Sequence, residues 1–117
     1  MDQNELKTRT KQFALRILRL TAALPPTPEA RAIRNQLSRS GTSVGANYRA
    51  ACRARSKAEF VAKLGTVIEE ADESCFWMEL IIEGGMLPEK NVSDLLTEAN
   101  ELTAIMTASR KTAQDEQ

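Results

Sequence analysis

The fold is decided by residues 24–60, which read LPPTPEARAIRNQLSRSGTSVGANYRAACRARSKAEF. Pro25-Pro26 ends one helix, because proline disfavours the α conformation in the residue before it. Thr27-Pro28-Glu29 begins the next helix, with threonine at the N-cap, proline at the first helical position and an acid in the first turn. Ser56-Lys57-Ala58-Glu59 matches a capping box and begins a third helix almost at once. Such short connections favour antiparallel neighbouring helices.

Apolar residues recur at three-, four- and seven-residue steps on both sides of this stretch, as they do along one face of a helix. We predict four helices, at residues 4–23, 28–54, 57–83 and 89–113. Gly84-Gly85 ends the third helix, Pro88 precedes the fourth, and residues 114–117 are expected to fray. The sequence therefore predicts a single all-α domain over residues 1–117, an antiparallel up-down-up-down four-helix bundle.

The second helix has a thin apolar stripe, because Gly41 and Gly45 lie on it with Ser40 and Ser43 nearby. A glycine inside a helix costs about 1 kcal/mol relative to alanine. We expect the close approach of a neighbouring helix to offset this cost. The Gly-x-x-x-Gly spacing is interpreted as a packing motif, since no strand precedes it to form a phosphate-binding loop.

The composition leaves little material for catalysis. There is no histidine, which removes the commonest general base, the commonest metal ligand and every Ser-His or Cys-His nucleophile. Cys52 and Cys75 lack the CxxC spacing and are interpreted as small buried thiols rather than redox residues. The acidic run at residues 69–73 has carboxylates for a hard cation, but we favour a solvated or partner-facing surface because its charges point around the helix. We expect no enzymatic activity, catalytic residue, cofactor or metal.

The chain is expected to stay in the cytoplasm and to have no membrane partner. No stretch approaches the roughly 18 to 20 apolar residues that span a bilayer. The first five residues, MDQNE, are polar and acidic, and they do not show the basic-then-apolar layout of a secretory signal.

The net charge of zero conceals a division between the two halves of the chain. Residues 1–55 carry 11 Lys/Arg and 3 Asp/Glu, a net charge of +8, whereas residues 56–117 carry 5 and 13, a net charge of −8. Such an asymmetry bears on the choice of partners. The halves could neutralise each other within one fold or between copies, or each could bind a different ligand.

Helical winding places several arginines of the second helix in one outer sector, away from its apolar stripe. They are Arg31, Arg39, Arg49 and Arg53, followed by Arg55 at the helix end. A row of arginines can bind phosphates of RNA or DNA. It can equally pair with the acidic third helix, in the same subunit or in a neighbour. No aromatic residues alternate with these arginines, as a platform for stacking single-stranded bases would require.

Several apolar residues fall outside the inward stripes of their helices. They are Phe76, Trp77 and Leu80 on the third helix and Leu15 and Leu18 on the first. Wide burial within one subunit would explain them, as would a subunit interface, which we favour because such contacts use Trp and Phe. A basic surface that docks on the acidic surface of the next copy makes a heterologous contact, and closed heterologous contacts make rings.

Four segments resemble a known family. Residues 39–49 (RSGTSVGANYR), 55–60 (RSKAEF), 69–73 (EEADE) and 77–80 (WMEL) resemble the 23S rRNA-intervening sequence protein family, and the resemblance extends over residues 33–108. It implies a small cytoplasmic four-helix bundle, commonly a homopentamer, with no known enzymatic activity. A related branch, the accessory variability determinant of diversity-generating retroelements, is a pentameric basic barrel that partners a reverse transcriptase and nucleic acid.

The resemblance also assigns structural roles to polar residues. The matching positions are Arg39, Ser43 and Asn47 on the second helix and Glu69, Glu70 and Glu73 on the third. Asn47 is expected to hydrogen-bond a neighbouring helix, because a buried unpaired amide costs about 1 to 3 kcal/mol. The three glutamates are expected partners for Arg39, Arg49 and Arg55.

These observations predict a non-enzymatic, self-assembling helical bundle, a homopentameric ring that acts as a scaffold or accessory factor. The alternative is an accessory protein that binds RNA or DNA through the arginines of the second helix. A third possibility, a monomeric adaptor, predicts that Trp77 is exposed to solvent.

Overall fold

The computed structural model describes residues 1–116 and consists of four long helices. Their bounds are α1 Gln3–Ala22, α2 Pro28–Cys52, α3 Lys57–Glu83 and α4 Ser93–Asp115. A single 3-10 turn, Glu89–Asn91, precedes α4. The described part of the chain contains no strand, so the all-α prediction is confirmed.

Side chains cap the first three helices as their sequences indicate. Asp2 accepts a hydrogen bond from the backbone N–H of Glu5 at 2.8 Å, and Thr27 accepts one from Ala30 at 3.2 Å. At the start of α3 the Ser56 hydroxyl accepts from the Glu59 N–H at 3.0 Å. The Glu59 carboxylate bonds the N–H of Arg55 rather than that of Ser56, so the capping box is displaced by one residue.

Three helix ends differ from the predicted positions by two or more residues, and α1 is shifted by one residue at both ends. The second helix ends at Cys52, because the backbone of Arg53 leaves the helical region and its N–H bonds the carbonyls of Ala50 and Ala51. The fourth begins at Ser93 rather than residue 89, because the 3-10 turn after Pro88 uses the intervening residues. It then runs to Asp115, beyond the predicted fraying point, whereas residue 117 lies outside the described residues.

Contacts between helices show that consecutive helices run in opposite directions. Between α1 and α2, Ile17 meets Gly41 and Thr10 meets Gly45, so residue numbers fall on one helix as they rise on the other. The same inverse order joins α3 to α4, where Cys75 lies at Asn100 and Gly65 at Arg110. The molecule measures 49 × 20 × 20 Å, the shape expected for helices lying side by side. The antiparallel up-down-up-down bundle is therefore confirmed.

Gly41 permits a close contact between α1 and α2. A Cβ atom on Gly41 would lie 2.6 Å from Cγ1 and 2.7 Å from Cγ2 of Ile17, which is completely buried. A Cβ on Gly45 would lie 3.3 Å from the backbone oxygen of Thr10. The predicted close approach is confirmed, and its partner is α1.

Arg34 of α2 forms hydrogen bonds with backbone carbonyls where α1 ends and the loop to α2 begins. Its Nε donates to the carbonyl oxygen of Thr21 at 3.1 Å and its Nη2 donates to that of Leu24 at 3.0 Å. Thr21 lies in the last turn of α1 and Leu24 in the loop that follows, so Arg34 ties the start of α2 to the end of α1. On the inner face of α3, Ile81 is completely buried, whereas Ile82 is only half-buried.

Within residues 1–116 there is no helix that combines the length and the apolar character needed to cross a membrane.

Candidate functional site

The charge division of the sequence becomes a division of the molecular surface. The bundle order places α1 beside α2 and α3 beside α4, so a basic pair of helices faces an acidic pair. The two pairs meet along two seams, α2 with α3 and α1 with α4. Of the 11 Lys/Arg in residues 1–55, only Arg9 and Arg39 form ion pairs within residues 1–116. Neutralisation within the fold is therefore confined to one arginine at each seam.

Arg39 crosses the seam between α2 and α3. Its guanidinium lies 3.0 Å from Oε2 of Glu70 and also donates to Oε1 of Glu73. The indole Nε1 of Trp77 donates to the same Glu73 oxygen at 3.2 Å. Two carboxylates of the acidic run thus converge on one cation, contrary to the expectation that its charges only point around the helix. Glu69 is exposed and has no ion-pair partner within residues 1–116.

Arg9 crosses the seam between α1 and α4. Its Nε and Nη2 donate to the two carboxylate oxygens of Glu98, both at 2.7 Å, in a bidentate pair, and Nη2 also lies 3.3 Å from Glu101. This geometry is the strongest that an arginine and a carboxylate adopt. Sequence reasoning missed it, because pairing across α1 and α4 depends on their relative axial position.

Arg39 favours the ionised form of Glu73. The hydrogen bond from Arg39, reinforced by that from Trp77, lowers the pKa of Glu73 below its ordinary value of 4.5. A lowered folded-state pKa contributes stability above the unfolded pKa, and this contribution is lost as pH falls through the folded value.

We expect Arg39→Gln to raise the pKa of Glu73 toward its ordinary value. The stability difference between wild type and variant should be full above pH 4.5 and should shrink as acid protonates Glu73. Carboxyl NMR titration of both proteins measures the pKa, and urea unfolding at several pH values measures the difference. A Glu73 pKa unchanged by the substitution would contradict the pairing.

The other arginines of this face form no ion pairs within residues 1–116. They are Arg31, Arg49, Arg53 and Arg55, and all four are exposed. Arg39 makes the expected pairing with Glu70 and Glu73. The expected pairing of Arg49 and Arg55 with the acidic run is absent from residues 1–116.

Arg49 also belongs to a groove that sequence reasoning missed. Lys7 and Lys11 of α1 join it around an open cavity of about 190 Å³. Ala14 and Gly45 are among the small residues that line this cavity. The available signal was the spacing of Lys7, Lys11 and Ala14, which places them on one side of α1.

Asn47 does not bond a neighbouring helix, so that prediction is wrong. Its amide donates to the carbonyl oxygen of Ser43 at 2.9 Å, one turn back on the same helix. Ser43 in turn donates to the carbonyl of Arg39 at 2.6 Å. Short polar side chains commonly find such local acceptors. The buried polar contact between α2 and α3 is instead Ser40 with Ser74, whose hydroxyl oxygens lie 2.9 Å apart.

The apolar residues outside the core form two groups. Leu15, Leu18 and Phe76 are 38%, 46% and 51% exposed, whereas Trp77 and Leu80 are half-buried and pack against the core. Wide burial within the subunit therefore accounts for the second group and leaves the first unexplained. The half-buried Trp77 also differs from the exposed residue that the monomeric adaptor predicts.

The exposed apolar residues lie on oppositely charged sides of the bundle. Leu15 and Leu18 belong to α1 on the basic side, whereas Phe76 belongs to α3 on the acidic side. Phe76 contacts the Trp77 ring edge-to-face, with centroids 5.0 Å apart. The bundle order separates α1 from α3, so these residues form two patches.

The cysteines lie apart and are unpaired. Cys75 is buried, and burial together with the nearby carboxylates of Asp72 and Glu79 raises the pKa of its thiol to about 11. Cys52 is half-buried. Among residues 1–116 no three Cys, Asp or Glu side chains are grouped so that they could hold a metal ion.

Comparison with known proteins relates the chain to one family. A family model described as 23S rRNA-intervening sequence protein matches residues 2–108. The crystal structure of a protein with unknown function from the S23 ribosomal protein family of Bacteroides thetaiotaomicron is 32% identical and superposes with a TM-score of 0.87. The match covers 95% of this chain and 99% of that one. No curated protein matches.

Proposed function

The chain belongs to the 23S rRNA-intervening sequence protein family, and from that premise we propose that it is a non-enzymatic bundle that assembles with copies of itself into a homopentameric ring. The ring would serve as a scaffold or accessory factor for a protein or RNA partner. The ring size rests on the family resemblance. The exposed apolar patches on oppositely charged sides carry the proposal of self-assembly.

The two patches favour a head-to-tail contact. Leu15 and Leu18 lie among unpaired cations of α1 and α2, and Phe76 lies on a helix with an excess of carboxylates. Each patch therefore meets opposite charge on the other and like charge on itself. Complementary potentials suppress like-charge pairings and fix the orientation of docking. Repetition of such a contact by rotation closes a ring.

The proposed absence of catalysis rests on the residues that the chain offers. No histidine is present, and the raised thiol pKa keeps Cys75 protonated at neutral pH. A protonated thiol is a poor nucleophile, so Cys75 is held in its unreactive form.

Light scattering coupled to size exclusion tests the assembly. At micromolar concentration we expect a mass of about 65 kDa, five times the 13.0 kDa chain. A mass equal to one chain at this concentration would refute self-assembly, and a mass of another multiple would refute the ring size alone.

The unpaired cations favour binding of RNA or DNA as a second candidate function. Arg49 on α2 and Arg53 just beyond its end form no ion pair in residues 1–116, and Lys7 and Lys11 line one cavity with Arg49. A continuous basic surface of this kind neutralises phosphates and releases counterions, so binding weakens steeply as salt rises.

Fluorescence anisotropy with labelled structured RNA, at about 50 and 200 mM salt, tests this candidate. We expect a log–log slope of about −0.7 to −0.9 per phosphate contact and loss of binding in Arg49→Glu/Arg53→Glu. Lys90→Glu/Lys111→Glu changes the net charge equally on the acidic half and should retain binding. Absence of binding at both salt concentrations would refute RNA binding and favour a role of these arginines in the subunit contact.

A further inference from the structure

The seam between α1 and α4 is closed at one end and open at the other. Arg9 and Glu98 close one end, as described above. Toward the opposite end of the molecule the two helices separate around an open cavity of about 380 Å³, between the last turns of α1 and the start of α4. These two helices are the least closely packed of the neighbouring pairs. The cavity belongs neither to the arginine face of α2 nor to the exposed apolar patches.

Three cations line this cavity. Arg16 and Arg19 are one helical turn apart on α1, a spacing that places two side chains on the same face. Lys90 enters from the 3-10 turn before α4. None of the three forms an ion pair within residues 1–116, although one carboxylate, Asp94, lines the same cavity. The cavity therefore has three positive charges and one negative charge.

The unpaired arginines of this cavity differ from Arg9 and Arg39, which form ion pairs at the seams. Arg9 and Arg39 each reach two carboxylates of the facing helix, which satisfies their donors within the fold. Arg16, by comparison, is half-buried and leaves its donors without an anionic partner in residues 1–116. A guanidinium against a low-dielectric wall attracts an anion more strongly than one in open water.

The floor of the cavity is apolar. Leu20 and Leu95 are 8% and 5% exposed, and Leu87 is half-buried against the core. The volume lies in the range of small-molecule sites, which combine an apolar lining with a few polar groups that orient the ligand. An inorganic anion would use the cations and leave this floor uncovered.

We propose that the cavity binds a small organic anion, whose phosphate or carboxylate oxygens contact Arg16, Arg19 and Lys90. Its apolar or planar body lies on Leu20, Leu87 and Leu95, and the amide of Asn91 donates to or accepts from the polar edge of that body. With Asp94 the lining keeps a net charge of +2, which attracts an anionic group. All residues that line this cavity belong to one chain.

Titrations followed by ¹⁵N TROSY spectra of the full assembly test the site. The probes are 1-naphthyl phosphate and 1-naphthoate, compared with inorganic phosphate and uncharged 1-naphthalenemethanol. We expect saturable shifts of the Asn91 and Leu95 amide signals with one of the naphthyl anions, which also tells phosphate from carboxylate. Inorganic phosphate and the uncharged alcohol should each bind about tenfold more weakly or worse, because each loses one half of the contact.

Matched variants separate this site from general charge attraction. Arg16→Gln/Arg19→Gln should raise the Kd of the preferred naphthyl anion about tenfold or more, and Lys90→Gln, at an exposed position, should raise it as well. Arg49→Gln/Arg53→Gln removes the same charge on α2 and should leave the Kd unchanged. Linear, non-saturating shifts, equal affinity for inorganic phosphate, or an equal loss in the α2 variant would each overturn the proposal.

Discussion

Replacement of both Leu15 and Leu18 by glutamate is expected to convert the assembly into single chains at micromolar concentration. Both side chains are exposed in the isolated subunit, so the fold has no reason to fail. In the assembly they would bury two carboxylates against the acidic side of the next copy, and like charges across an interface cost several kcal/mol. Light scattering should show about 13.0 kDa in place of the multimer, with unchanged far-ultraviolet circular dichroism.

Phe76→Glu tests the other side of the same contact. Phe76 is 51% exposed and lies on the acidic helix, so the substitution removes an aromatic contact and adds a like charge only if this surface docks on a neighbour. We expect this variant to be a single chain as well. Thr97→Glu changes an exposed residue of α4 by the same charge and should leave the mass of the assembly unchanged.

A mixture of the two interface variants distinguishes head-to-tail from symmetric docking. The Leu15→Glu/Leu18→Glu chain retains its Phe76 surface, and the Phe76→Glu chain retains its leucine surface. In a head-to-tail contact the mixture forms one intact interface, and we expect a heterodimer of about 26 kDa, twice the chain mass. If either variant alone remains multimeric, or the mixture stays monomeric, the two patches do not dock on each other.

Gly41→Ala is expected to lower the free energy of unfolding by about 1 to 3 kcal/mol, although alanine is the better helix former. The new methyl group would lie 2.6 Å from Cγ1 of Ile17, well inside van der Waals contact. Ile17 is completely buried and branched at Cβ, so it has no open space into which to turn. Relief therefore requires α1 and α2 to separate, which loosens the packing along the whole pair.

Gly65→Ala is the matched control for Gly41→Ala. Its methyl group would meet only the flexible end of Arg110, at 3.7 Å, so the helix propensity of alanine should act alone. We expect a gain of up to about 1 kcal/mol. Urea unfolding of all three proteins at one fixed protomer concentration measures both effects, since assembly shifts apparent stability by mass action. Equal stabilisation by both substitutions would show that α1 and α2 do not meet this closely at Gly41.

Ile17→Ala completes a double-mutant cycle with Gly41→Ala. Ile17→Ala lowers stability by itself, because it leaves a cavity at a fully buried site. It also removes Cγ1 and Cγ2 of Ile17, the two carbons that the new methyl group of Gly41→Ala would contact most closely. The double variant should therefore be more stable than the sum of the two single losses implies, and the difference measures their contact.

Helical periodicity identified the apolar residues that face away from the core but not their burial. It separated Phe76, Trp77 and Leu80 from the inward stripe of α3, yet only Phe76 is more than half exposed. Whether a flanking residue is covered depends on how closely the neighbouring helix packs and on its side chains. Trp77 is half-buried because it packs against the core, and its indole N–H bonds Glu73 one turn earlier on α3.

For the charged residues too, the sequence predicts the composition of a helix but not its contacts with another helix. The sequence shows the excess of arginine on α2, but it does not show which of these arginines forms an ion pair. Arg39 pairs with Glu70 and Glu73, whereas Arg49 on the same helix finds no carboxylate within residues 1–116. A shift of one turn along the helix axis, 5.4 Å, exceeds the length of an ion pair and would change the partner.

The sequence by itself determined the four helices, the caps of α2 and α3 and the opposed charges of the two halves. These features depend on a residue and its neighbours within a turn or two, where propensity, proline, capping side chains and apolar period act. The tertiary structure alone decided that Ile17 fills the space above Gly41, that Arg9 and Arg39 are the paired arginines, and that Arg16 and Arg19 line an open cavity. Each of these depends on the rotation and axial position of one helix against another, which are set by the packing of the whole core.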